Sequence, residues 1–364
     1  MENEGEIITV LGPIDPAELG VTLMHEHLLF AGFWLFDYSQ WIDGEAEAHA
    51  FVENFDRGVY GPVTRENAVW LRQHPYANRD NLVNTDWRLS ATELRRFKLA
   101  GGKTIVDASP RGRRDVWALR KIAEDVGINI VAGTGYYVER AHPWDMDEKT
   151  VTHLSTEFVE DILHGADGTD IRCGILGEIG TSDPITASEW RVLEACAEAH
   201  LATGAAIQVH SAHATRSMPQ IIEFLTKAGV HPSRVIACHL DLVLDDWSYT
   251  SDVIDHGVFI EYDGFGHLAP LEGVYTRDRD RINGLIRLIE RGHWNQLLLS
   301  HDIGLRSRMA EYGGPGWSYI MTEIIPRLRA EGMSVKVLRD ILEENPRRAL
   351  CLSGEVEFST GPSS

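Results

Sequence analysis

The chain has no run of about 18 consecutive apolar residues, so no membrane-spanning helix is expected. Cysteine is scarce. Cys173, Cys196, Cys238 and Cys351 are scattered and form no CxxC pair, which fits reduced thiols in a cytoplasmic protein better than a disulfide framework. The stretch from Met1 to Glu6 is acidic and lacks the positive and apolar segments of a secretory signal, which supports the same location. Basic residues are in short supply: 34 Lys and Arg face 55 Asp and Glu, a formal net charge of −21. That balance argues against nucleic acid bound through a basic surface and against an anionic membrane. It leaves a local pocket free to be positive, because one arginine or a pair of metal ions suffices. There is no low-complexity tract, and only a short polar tail (357–364) follows Val356.

What is present is ordinary for a large core, with 43% hydrophobic and 24% charged residues. Short apolar runs ending in polar residues or glycine alternate with helical periodicity, the pattern of a parallel sheet. The runs cover 21–29, 103–109, 129–135, 172–179, 206–211, 235–241, 258–263 and 296–302. Between them, 115–126, 188–202, 220–228 and 280–291 carry apolar residues three and four apart, and Gly101, Gly127, Gly257 and Gly292 follow helices as C-terminal caps. Eight parallel strands can lie open or close into a barrel. Nearly every run ends in His, Asp or Glu, and a (β/α)8 TIM barrel gathers all those ends at one mouth. An α/β barrel forming a single domain over 1–364 is therefore expected.

One segment breaks the rhythm. About 70 residues separate the first two strands, with an aromatic run (Phe33, Trp34, Phe36, Tyr38, Trp41) and the stretch from Trp70 to Tyr76. Long connections of this kind are often functional. Residues 33–88 are expected to lie over the C-terminal mouth as a lid or pocket wall, or to pack on the rim or a second subunit.

The chemistry is concentrated at strand ends. His25 and His27 flank Glu26, and a spacing of two puts both imidazoles on one face of a strand. Glu26 then points the other way and is structural. Glu178 lies in the apolar fourth run, where a carboxylate is costly to bury unless paired or metal-bound. His210 ends the fifth run, His239 and Asp241 the sixth, and His301 and Asp302 the eighth. Such nitrogen and oxygen donors suit zinc, with manganese, cobalt or iron as alternatives. Together they are enough for two divalent ions that activate a water and polarise a substrate oxygen.

With these residues in hand, the chain resembles the phosphotriesterase family of the amidohydrolase superfamily. The likeness runs through GVTLMHEHL, GGKTIVDASP, GILGEIGTSDPIT, IQVHSA, IACHLD, LLLSHDI and YGGPGWSYI. WLRQHPYANRDNL is similar to the branch of phosphotriesterase-related and resiniferatoxin-binding proteins. The resemblance implies that His25, His27 and Asp302 hold a buried ion, His210 and His239 a more exposed one, and that Glu178 bridges them. It further implies a metal-bridging hydroxide as nucleophile, Asp302 as the catalytic proton shuttle with Asp241 or His239 nearby, and a homodimer. Many members bridge their metals with a carbamylated lysine. Here the neighbourhood reads Gly177-Glu178, shifted by one residue, and Gly177 permits the bulge this needs.

The resemblance thus implies a hydrolase of small carboxyl derivatives: lactones, carboxyl esters or N-acyl amides. Phosphotriester hydrolysis is the alternative, and a non-catalytic protein holding a small ligand is the rival of another class. Tyr136, Tyr137, Asp241 and Asp263 are expected near the substrate, and Arg277, Arg279 or Arg306 to face the mouth and bind an anionic group. Residues 312–320 read as a loop before a helix over 317–331.

Overall fold

The structure is a computed structural model that describes residues 5–36, 58–212, 216–267, 276–353 and 358. Eight strands form one sheet in sequential order. They are β1 (Thr22–Glu26), β2 (Thr104–Asp107), β3 (Asn129–Thr134), β4 (Ile175–Thr181), β5 (Ile207–Ser211), β6 (Val235–Ala237), β7 (Phe259–Tyr262) and β8 (Leu297–Leu299). All neighbouring pairs are parallel. The sheet closes on itself beyond the last strand: Asp302 N donates to His25 O at 3.1 Å and His27 N to Ile303 O at 3.3 Å. The fold is the expected (β/α)8 barrel.

Two apolar layers hold it. Met24, Val106, Val131, Ile175, Ile236, Phe259 and Leu298 meet inside the barrel, each from a different strand. Ile7 of an antiparallel hairpin (Ile7–Thr9 with Gly12–Ile14), Ala349 and Leu350 close this layer from below. Alternate strand residues such as Leu23, Ile105, Ile130 and Leu176 face outward into the larger core against the helices. The helices Val116–Val126 and Ala187–Thr203 begin at side-chain caps, Asp115 and Thr186, and end at Gly127 and Gly204 in the left-handed conformation.

Strict alternation fails at two places, and both lead to the site. Met24 packs in the inner layer, yet its neighbour His25 also turns inward; the register shifts between Leu23 and Glu26. On β4, Leu176 and Ile179 both face the helices, and the register shift between them turns Glu178 into the barrel. Gly177 is required there, since a Cβ would lie 2.6 Å from that of Gln208.

Strand ends fall short of expectation on the sixth and eighth runs. β6 stops at Ala237 because His239 adopts φ 62°, and β8 stops at Leu299, three residues before Asp302 at φ 51°. The helix expected over 317–331 instead opens with a π-helical turn, Ile320–Ile324, before Ile325–Ala330. Within the long segment between β1 and β2, Phe30–Ala31 pairs antiparallel with Val83–Asn84, and a helix covers Arg65–Gln73. Tyr38 and Trp41 lie outside the described residues. So does the tail, apart from Phe358, which packs edge-on to Phe259 with ring centroids 5.0 Å apart. The cysteines are free, and among the described residues no helix is long and apolar enough to cross a membrane.

Candidate metal centre

The six donors expected from the strand ends converge at the barrel mouth. Glu178 Oε1 lies 3.5 Å from His25 Nε2, 3.1 Å from His210 Nδ1 and 3.0 Å from His239 Nε2. Its Oε2 is 3.9 Å from His27 Nε2. Asp302 Oδ1 is 3.2 Å from His27 Nε2 and 3.9 Å from His25 Nε2. His25, His27 and Asp302 form one set of donors spaced for a cation, and His25, Glu178 and His239 another. His25 Nε2 is buried and makes no hydrogen bond among the described residues, although two carboxylates flank it. An orphaned imidazole nitrogen between carboxylates fits a bound cation. His239 and Asp302 hold left-handed backbone, which costs about 1–3 kcal/mol per residue and tends to persist at functional sites.

The second nitrogens of the imidazoles are anchored from behind. His25 Nδ1 lies 3.2 Å from Glu261 Oε2, and Gln208 Nε2 donates both to Glu261 and to Met24 O. His239 Nδ1 meets Asp263 Oδ1 at 2.7 Å, and His239 N donates to Asp263 Oδ2. His27 Nδ1 is 3.0 Å from Ser109 Oγ. These contacts orient each ring with Nε2 toward the mouth and, at the two carboxylates, raise its basicity.

The electrostatics follow from burying Glu178, Glu261 and Asp263 here, with the partly exposed Asp302 beside them. Burial raises Glu178, but His25, His210 and His239 outweigh it and hold it well below the usual carboxylate range. Asp302 is likewise lowered against burial, chiefly by His27 and His25. Burial lowers His25 and His239, yet Glu178 and Asp263 carry both well above the ordinary histidine value. So much negative charge demands positive partners, which are protons or metal cations.

The centre opens into a cavity of about 440 Å³. Phe30, Leu35, Phe36 and Leu305 supply apolar wall, and Tyr76, Tyr137, Arg113, Arg140 and Arg308 supply polar groups. Part of the long insertion therefore does cover the mouth.

Several expected substrate contacts lie elsewhere. Tyr137 lines the cavity, its hydroxyl 3.3 Å from His210 Nδ1, but Tyr136 turns away to donate to Glu157 and pack on Phe158. Asp241 is buried against Arg281 at 2.5 Å, and Asp263 stands behind His239. Neither lines the cavity. Nor do the three arginines expected at the mouth: Arg306 donates to Val83 O, Arg279 is exposed beside Asp280, and Arg277 precedes the helix Asp278–Glu290. Arg113, Arg140 and Arg308 take their place. Glu26 is structural as expected, accepting from Ser300, His301 and Ile303. Sequence reasoning missed Gln208, Ser109 and Glu261. Only Glu261 carried a signal, as a carboxylate within an apolar strand like that of Glu178.

The sequence matches the phosphotriesterase family over residues 5–350. The chain belongs to that family. It is accordingly an enzyme of the hydrolase class. An N-acetyltaurine hydrolase from Danio rerio is 36% identical, covering 96% of this chain and 99% of its own length. The N-acetyltaurine hydrolase of Homo sapiens is 34% identical, covering 95% and 98%. Among solved structures, a resiniferatoxin-binding protein from Rhodobacter sphaeroides superposes with a TM-score of 0.88 at 30% identity, over 96% of this chain and 97% of its own. The phosphotriesterase homology protein from Escherichia coli, complexed with phosphate in its active site, gives 0.73 at 30%, over 92% and 99%.

Proposed function

We propose that this phosphotriesterase-family chain is a binuclear metal-dependent hydrolase of small N-acyl amides. The observation that carries the reading is the buried, unpartnered Nε2 of His25 facing Glu178 and Asp302. His25, His27 and Asp302 would hold one divalent ion, His210 and His239 the other, and Glu178 would lie between them. Zinc suits this all-nitrogen-and-oxygen set. Ions bound there supply Lewis acidity, lowering the pKa of water and polarising a carbonyl oxygen.

The remaining work falls to side chains. The Asp302 side chain, 19% exposed, is the carboxylate placed to take a proton from the attacking water and deliver it to the departing amine. Tyr137 offers a hydroxyl beside His210 that can donate to the substrate carbonyl. Leu35, Phe36 and Tyr76 line the cavity and can shield the reacting bond from bulk water, which supports reading the insertion over 33–88 as a lid within a single-domain enzyme. The amide is favoured over ester, lactone or phosphotriester by the relatives named N-acetyltaurine hydrolase, which align over nearly the full chain.

Two measurements test the reading. Elemental analysis of purified, reconstituted protein should find about two divalent ions per chain. The loaded protein should then turn over N-acyl amides in preference to lactones, carboxyl esters and phosphotriesters. Metal-free protein after reconstitution, or a fully loaded protein inert toward every amide, would overturn it.

A further inference from the structure

Four arginine side chains in the described residues are almost fully buried: Arg114, paired with Asp161 and Asp167, and Arg234, Arg281 and Arg308. A guanidinium taken out of water is costly unless its charge and donors are satisfied. Arg281 is paired with Asp241 at 2.5 Å and donates to Thr276 O. Arg234 has no carboxylate and its Nε is unpartnered among the described residues, but both terminal nitrogens are used: Nη1 and Nη2 donate to the carbonyls of Arg348, Gly204, Ala349 and Cys351. Arg308 is different. Only Nη1 is engaged, donating to His267 Nε2 at 2.8 Å and reaching Asp302 O at 3.4 Å. Nε and Nη2 make no hydrogen bond, and no carboxylate forms an ion pair with Arg308, among the described residues. Yet Arg308 lines the catalytic cavity.

The contact with His267 sharpens the point. Arginine carries no acceptor, so His267 Nε2 accepts and its proton sits on Nδ1. The ring is therefore neutral. It steers the guanidinium without compensating its charge. The other cavity arginines are less suited: Arg113 is tied to the carbonyls of Ala31 and Ala141, and Arg140 is exposed.

We propose that Arg308 is the anion anchor of the substrate site, and that the substrate is an N-acyl derivative of a short amino acid ending in a sulfonate or carboxylate. The planar guanidinium fork matches either group. Arg308 contacts the backbone of Asp302, whose carboxylate lies 3.2 Å from His27, so the anion must sit only a short spacer from the scissile carbonyl. The assignment deepens the amide-hydrolase reading and rests on it for the bond that is cleaved.

The test compares wild type with Arg308→Met, metal-loaded, on N-acetyltaurine, N-acetyl-β-alanine and the uncharged N-acetylethanolamine. Wild type should prefer the anionic amides. Arg308→Met should lower that preference about 10- to 100-fold, mainly through KM, the size expected for hydrogen bonds to a charged group. Calorimetric binding of 1-propanesulfonate and butyrate, which cannot be hydrolysed, should weaken by a similar factor. Should Arg308→Met fail to fold, Arg308→Lys is measured the same way; it keeps the charge, loses the fork, and should show a smaller loss of the same kind. Comparing the two anions decides between sulfonate and carboxylate as the preferred head group. Equal loss on charged and uncharged amides, or unaltered anion binding in the variant, overturns the proposal. A wild type that binds the anions through Arg308 but cleaves no amide would instead overturn the amide-hydrolase reading alone.

Discussion

A buried carboxylate ringed by three imidazoles, as Glu178 is, stays ionised against the cost of burial, because each ring nitrogen offers it a positive or donating partner. In the proposed centre its charge would offset the mutual repulsion of two bound dications. Glu178→Gln keeps the shape and removes the charge. It is expected to lower bound metal below two equivalents by elemental analysis and to cut turnover at least about 100-fold. Added bicarbonate should leave the wild-type rate unchanged, since no lysine needs carbamylation; a modified lysine at the centre would contradict the assignment. The candidate donor residues were legible at this scale, because His, Asp and Glu at successive strand ends are individually conspicuous. Asp241 and Asp263 were equally conspicuous and expected near the substrate, but each is engaged by a partner distant in the chain, Arg281 in one case and His239 in the other.

At the scale of elements, the site depends on two strands that abandon their own alternation. β4 turns Glu178 inward only because the residue before it has no side chain. Gly177→Ala would drive a methyl to within 2.6 Å of Gln208 Cβ, and Gln208 also holds Glu261 behind His25. The variant is expected to lose about 1–3 kcal/mol in denaturant unfolding and to bind metal more weakly. Unchanged stability and stoichiometry would show that the inward turn does not need glycine. The glycine and the shift it permits were visible in sequence. The matching irregularity at Met24–His25 was not, since a spacing of two between histidines already satisfies a regular strand. The early ends of β6 and β8 were equally hidden, because left-handed backbone at His239 and Asp302 leaves no mark on composition.

Across the whole molecule, the barrel is closed below by the hairpin that holds Ile7 and the helix Asn345–Leu350, with Ile7, Ala349 and Leu350 packed under the inner layer. Arg234 clamps that arrangement through carbonyls of the C-terminal segment and of Gly204, far from the mouth. Arg234→Met strands those carbonyls in a buried setting. A loss of about 2–4 kcal/mol is expected, with metal content unaltered in the folded fraction. A variant as stable as wild type would refute the clamp. Strand and helix order, the closed parallel barrel and the convergence of donors on one mouth were set by hydrophobic periodicity and residue type, which act locally along the chain. Tertiary structure alone decided which polar groups face the cavity. Arg308 reaches it while Arg277, Arg279 and Arg306 do not, because a loop residue's direction depends on the neighbours it packs against. The neutral His267 that steers Arg308 sits on a different loop, 41 residues away in sequence.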